Sequence, residues 1–253
     1  MAVRTIVALL AAGFVTAAHG AACIARSGAY TTALVELYTS EGCSSCPPAD
    51  RWLSTLGERR ALEQVVPLAL HVDYWDYIGW KDPYAKREFS QRQRRLSQLQ
   101  RASFVYTPQV LVQGRDFPAW GSAEFDRVLT RINAQPARAS LELEIVGLGA
   151  DRLRLRVRSS VADAAAASRA VVYVASFENR LESRVAAGEN QGRLLQHDHV
   201  ALEWQGPFGL GEREVALRLL PMGKPDASGV AAFVQDRASA EVLQALALPA
   251  CRP

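Results

Sequence analysis

The chain has 253 residues, 49% hydrophobic and 22% charged, with 12 Pro and 17 Gly. That composition excludes a disordered or collagen-like chain and supplies enough apolar material for one large core or two small ones. The charge balance, 29 basic against 26 acidic side chains, is too even to argue for nucleic acid. Four Cys are too few for a small disulfide framework in a chain of this length.

The N-terminus reads as an export signal. Arg4 supplies a positive start, Thr5 to Ala18 is almost wholly apolar or small, and Ala18-His19-Gly20-Ala21-Ala22 offers cleavage points after Gly20 or Ala22. The apolar run is about 14 residues, short of the roughly 20 needed to span a bilayer. A lipidated Cys23 is the weaker alternative, because no Leu stands three positions before it. Residues 1–22 are thus expected to be a signal peptide and the remainder periplasmic or secreted, with no stable membrane insertion. Disulfides persist in such compartments.

From Ala33 to about Asn133, strand and helix patterns alternate. Ala33 to Tyr38 is a β-prone run, followed by a turn holding Gly42, Cys43 and Cys46. Asp50 to Arg60 reads as a helix and Val65 to Asp73 as a second strand. Asp82-Pro83 predicts a helix start, since Pro suits the first turn. Phe89, Leu96 and Leu99 give that helix an apolar face. Lys81, Lys86, Arg87, Arg92, Arg94, Arg95 and Arg101 make its other side basic, read as a solvated face. Val110 to Val112 is a further strand, and Phe125, Leu129 and Ile132 mark a closing helix.

Asn133 to Arg138 is a linker pattern, and the apolar period then changes to two. Leu141, Leu143 and Ile145 alternate with Glu142 and Glu144; Leu153, Leu155 and Val157 alternate with Arg154, Arg156 and Arg158. Strands are also expected at 170–176, 199–204, 214–220 and 229–235, giving a mainly antiparallel, sandwich-like unit. The domain reading is 1–22 signal peptide, 30–135 α/β unit and 140–253 β-rich unit.

Chemistry is expected at Cys43 and Cys46. Two Cys separated by two residues, between a strand and a helix, can close a small disulfide ring. The positive end of the helix favours thiolate, the nucleophile of thiol–disulfide exchange. Cys43 is then the attacking sulfur and Cys46 the resolving one. Two other readings stay open. One is a disulfide that never turns over; the other is a Cu(I) site with His71 as third ligand. Asp73 or Asp76 is a candidate proton carrier for Cys46. Tyr74, Trp75 and Trp80 are candidates for a recognition wall beside the sulfurs. His197 and His199, two apart on an expected strand, read as a surface pair. Cys23 and Cys251 would tie the ends of the mature chain if they bonded, which spacing alone leaves open.

The segment from Val35 through Asp50, the run His71 to Trp80, Tyr106-Thr107-Pro108-Gln109, Glu178-Asn179 and Gly188 to Arg193 together resemble the secreted, thioredoxin-like domain-of-unknown-function 1223 family. The resemblance implies an α/β thioredoxin-like domain followed by a mainly antiparallel β domain, and export to the periplasm. In thioredoxin-like folds a cis-Pro loop lies against the Cys pair, which casts Pro108 as a docking element and Thr107 as a substrate contact. Two features depart from ordinary thioredoxins: Pro47-Pro48 follow the second Cys directly, and Ser44-Ser45 separate the pair. The expected activity is exchange with a protein or small-molecule thiol or disulfide, with no cofactor and no nucleic acid. A non-catalytic binding module is the alternative. No nucleophile elbow, phosphate loop, dinucleotide fingerprint or zinc-protease motif occurs.

Overall fold

A computed structural model describes residues 23–219 and 227–251. The expected signal peptide lies outside the described residues.

Strand β2 (Ala33–Thr39) and strand β3 (Val65–His71) are buried at every position, as two-sided burial requires of near-continuous apolar runs. They pair in parallel, Ala33 opposite Val65 through Thr39 opposite His71. Helix α1 (Pro47–Arg59) connects them. β4 (Gln109–Val112) lies antiparallel on the other side of β2. Gln113 and Gly114, both at positive φ, turn it into the short edge strand β5 (Arg115–Asp116). Helix α1 and helix α3 (Ala123–Asn133) cover one face, burying Leu53, Leu56, Phe125 and Leu129 against Val35, Leu37 and Val110. Helix α2 (Arg87–Leu99) covers the other with Phe89 and Leu96 against Tyr38, Leu70 and Leu111.

The later half extends the same sheet. β8 (Ala170–Glu178), β11 (Val200–Phe208), β13 (Ser228–Asp236) and β14 (Val242–Pro249) join it to give one eight-stranded mixed sheet, ordered β14-β13-β8-β11-β3-β2-β4-β5. The junction is parallel, Val200 opposite Ala69, with the Ala69 N–H donating to the His199 carbonyl at 2.8 Å. Between β8 and β11, strands β9 (Leu181–Arg184) and β10 (Leu194–His197) pair antiparallel as a separate ribbon that ends on His197. A four-stranded antiparallel sheet of β1 (Ile24–Arg26), β6 (Ser140–Leu148), β7 (Arg152–Ser160) and β12 (Gly211–Arg218) packs on the large one. Its inner residues Leu141, Leu143, Ile145, Leu153, Leu155 and Val157 bury against Val172, Val174, Val230 and Ala232. Its outer face is a ladder of ion pairs, Arg156 with Glu144 and Glu214, Arg158 with Glu142 and Glu212.

This architecture corrects the expected fold class. The described residues are mostly β, 42% strand against 22% helix, and show no clear α/β thioredoxin-like fold. The α/β elements do not close on themselves, because β3 has β11 of the later half as its neighbour. The period-two pattern identified half-buried strands correctly, but it carries no information about which sheet a strand enters.

Two local expectations also change. Helix α2 starts at Arg87 rather than at Asp82-Pro83, and Asp82 is instead buried in the turn before it. Arg92 is not on the solvated face: its guanidinium is buried, bonded to Glu36 at 2.6 and 3.0 Å and stacked over Tyr173, Trp204 and Phe233. Cys23 and Cys251 lie at disulfide distance, Cα–Cα 5.8 Å, joining the two ends of the described chain.

A buried disulfide over a polar cluster

Cys43 and Cys46 are bonded across the turn that follows β2, with Cα atoms 5.4 Å apart. Helix α1 opens directly at Pro47, with Cys46 in the capping position. Because Pro47 and Pro48 have no N–H, the first helical donors are Ala49 and Asp50, and both bond to the Cys46 carbonyl. The first turn therefore offers the sulfurs no free N–H groups. Stabilisation of a Cys43 thiolate falls to the helix dipole, worth about 0.3–1 kcal/mol.

The pair is also sealed. Cys43 is 1% and Cys46 0% exposed, whereas Ser44 and Ser45 between them are exposed. The seal comes from two directions. On one side stands a 3₁₀ turn, Asp73–Ile78; Gly42 packs tightly there, since a Cβ would sit 3.1 Å from Trp75 Cβ and 3.2 Å from Ile78 Cδ1 and these neighbours would have to give by a few tenths of an ångström. On the other side runs the segment Gly188–Arg193. Asn190, fully buried, donates both amide hydrogens to backbone carbonyls, Glu41 at 2.9 Å and Cys43 at 3.0 Å, and accepts from Arg193 at 2.8 Å. The Glu189 carboxylate accepts from the Ser44 N–H at 2.9 Å, which lowers its pKa. Gly188 packs against Ile78 so closely that a Cβ would lie 2.8 Å from it.

Glu41 and Asp50, which flank the two cysteines in sequence, belong to a cluster of buried titratable side chains. Asp50, one turn beyond Cys46 on α1, accepts a hydrogen bond from Thr39 Oγ1 at 2.7 Å. Burial raises its pKa, an effect that His197 and His71 partly oppose. Glu41 binds His197 Nε2 at 3.1 Å through one oxygen and accepts from Trp80 Nε1 at 2.7 Å through the other. His197 Nδ1 faces Asp50 Oδ2 at 4.0 Å. His71 Nδ1 meets Asp82 Oδ2 at 2.7 Å, and the same oxygen accepts from the Glu41 N–H. Burial pulls the His71 pKa down, but Asp82, Asp50 and Glu41 together outweigh it and the net shift is upward. The two imidazoles stand edge to face, 5.0 Å between centroids, and neither His71 Nε2 nor His197 Nδ1 has a hydrogen-bond partner.

The other sequence candidates are placed as follows. The Thr107–Pro108 peptide is cis, and Thr107 Oγ1 accepts from Trp75 Nε1 at 2.8 Å. Tyr74 donates to Gln93, and Trp80 reaches Glu41. Asp73 and Asp76 are not in the cluster: Asp73 accepts from the Ser90 hydroxyl and Asp76 from the Asp82 N–H. His197 and His199 are not a surface pair; both are buried, at 3% and 9% exposure. Asp50 was findable from its i+4 spacing to Cys46. Glu41, two residues before Cys43, lay within the same motif, whereas Asp82, Asn190 and His197 carried no such signal, because they arrive from residues 71–82 and 189–197. His71 does not join the two sulfurs as a ligand set: among the described residues no three His, Cys, Asp or Glu side chains are grouped to hold a metal ion.

Comparison with known proteins adds the following. A family model described as "Protein of unknown function (DUF1223)" matches residues 34–235. The structure is similar to protein AGR_C_4864 from Agrobacterium tumefaciens, at 27% identity and TM-score 0.60, covering 87% of this chain and 94% of that one. It is also similar in fold to HBP35 of Porphyromonas gingivalis, at 17% identity and TM-score 0.62, covering 88% of this chain and 76% of that one. No curated protein matches the chain.

Proposed function

Since the chain belongs to the DUF1223 family, proteins of unknown function, we propose from the site itself that it is a thiol–disulfide exchange protein of an oxidising compartment. Two disulfides fit such a compartment, and no described helix is long and apolar enough to cross a membrane. The observation that carries the reading is a buried Cys-x-x-Cys disulfide at a helix start whose flanking residues, Glu41 and Asp50, both face the buried His197 ring. A purely structural cross-link has no use for titratable side chains flanking it.

In the reductive direction a partner thiolate attacks Cys43 Sγ and forms a mixed disulfide, while the Cys43–Cys46 bond breaks and Cys46 leaves as thiolate. A second thiol of the partner then attacks the mixed disulfide, releasing Cys43 and carrying the partner to its own disulfide. Two electrons pass from the dithiol to the pair. Docking of the partner is assigned to the Thr107–Pro108 loop together with Tyr74, Trp75 and Trp80.

A second reading is favoured by one observation: both cysteines are buried and Asn190 grips their loop, as a structural staple would be held. One experiment separates the two. In the Cys46→Ser variant the Cys43 thiol has lost its resolving partner and should trap mixed disulfides with dithiols or secreted protein substrates. Trapped adducts, together with reduction of the wild-type pair by dithiothreitol under native conditions, support exchange. No adduct, and a wild-type pair that stays oxidised until the protein unfolds, leaves a scaffold that binds without redox chemistry.

A further inference from the structure

Cys46 is wholly buried, so a thiolate leaving there has no water beside it to protonate it. An uncompensated buried anion costs several kcal/mol. The proton must therefore come from a neighbouring side chain. Asp50, one helical turn away, is the nearest titratable group along the chain, and its Oδ1 is already occupied by Thr39. Its Oδ2 faces His197 Nδ1, which has no other partner and is itself buried. His197 is held in that position by Glu41 on its Nε2 and by the edge of the His71 ring.

We propose that His197 is the positioning residue for proton delivery, loading Asp50 Oδ2 with the proton that Cys46 Sγ takes up as the disulfide opens. This rests on the exchange reading above. The step balances. Breaking the Cys43–Cys46 bond with a dithiol as reductant yields one mixed disulfide and one Cys46 thiolate; Asp50 gives that thiolate a proton and is reprotonated through the His197 ring by the proton that the reductant's second thiol releases as it attacks the mixed disulfide. On reoxidation the same path runs in reverse. The groups facing His197 are Asp50 from α1, Glu41 from the loop before Cys43, His71 from β3, and Tyr84, whose ring lies 5.9 Å away in the turn that also carries Asp82. Asp82 acts on His71 and Tyr84 directly, and Glu178 of β8 acts on Tyr84. Cluster charge is thus shared among three carboxylates and two imidazoles, none open to solvent.

The test follows reduction of the 43–46 pair by dithiothreitol between pH 5 and 8, quenched by alkylation and read by mass. Rates are corrected for the thiolate fraction of the reagent. The expected wild-type corrected rate falls as pH rises and the cluster loses its proton. His197→Gln should flatten that profile and slow reduction about a hundredfold near neutrality, the low end of what a positioned acid supplies. A His197→Gln protein with the wild-type profile overturns the proposal, even if its melting temperature drops. Should that variant not fold, ¹⁵N shifts of the histidine rings in the wild-type protein decide instead. The His197 protonation state must differ between the oxidised and reduced forms at one pH, and identical ring protonation overturns the proposal. A wild-type pair that dithiothreitol never reduces refutes exchange itself, and this inference with it. A reducible pair with an unchanged profile refutes the His197 role alone.

Discussion

Removing the Asn190 amide should expose the disulfide without unfolding the protein. In Asn190→Ala the Glu41 carbonyl loses the amide hydrogen it accepts at 2.9 Å, while the Cys43 carbonyl keeps its bond from the Cys46 N–H at 3.2 Å. Leaving one buried carbonyl short of its partner costs about 1–3 kcal/mol, and the Arg193 contact goes as well. If about 2 kcal/mol of that falls on closure of the Gly188–Arg193 segment, the open population rises roughly 30-fold, since 1.4 kcal/mol is tenfold. The reduction rate of the 43–46 pair should rise by the same factor in native buffer. Stopped-flow mixing with dithiothreitol and alkylation gives that rate, and urea titration gives global stability independently. A rate within twofold of wild type, at a stability lowered by the expected amount, would show that Asn190 does not govern access to the sulfurs.

Two further outcomes concern groups away from the disulfide. Arg92→Met leaves the buried Glu36 carboxylate unpaired among aromatic rings and should cost about 3–5 kcal/mol in urea unfolding, whereas the Glu36→Leu, Arg92→Met double variant should recover most of it; a single variant as stable as the double contradicts this. His199 is held neutral by burial, its pKa pushed down to about 4, so the unfolded chain binds the extra proton first. Its contribution is therefore complete above about pH 6.5 and is lost as pH falls towards 4, amounting to about 3 kcal/mol. His199→Asn, which tolerates the positive φ of 57° at that site, should remove this part of the acid sensitivity; urea midpoints at pH 7.5 and 4.5 that shift as in wild type would refute the assignment.

Much of the fold was legible because its signals are local. The β-prone run from Ala33 to Tyr38 ends one residue from the observed strand, and the helix marked by Phe125, Leu129 and Ile132 lies within Ala123–Asn133. Leu141 to Ile145 and Leu153 to Val157 point inward as their alternation requires, with their Glu and Arg neighbours paired outside. β14 was missed because its Val242-Leu243-Gln244-Ala245-Leu246-Ala247-Leu248 run is buried on both faces and so shows no alternation. The joint sheet was missed for a different reason. Val200 opposite Ala69 is a contact between residues 131 apart, and no period within either segment encodes it. The site divides the same way: Glu41, Cys43, Cys46 and Asp50 sit within ten residues, but the other groups that bury and charge the pair come from residues 71 to 82 and 189 to 197.

The narrow seam between β3 and β11 has a mechanical consequence. Each flanking strand pair is laced along its length, β2 to β3 over seven positions and β8 to β11 over six, yet the seam itself is bridged at one register position. Side chains stitch it instead, and His71, His197 and His199 all stand within three residues of that bridge. Under load or in mild denaturant the molecule should part there first, so amide exchange at Ala69 would report strain in the imidazole cluster before either flank loosens.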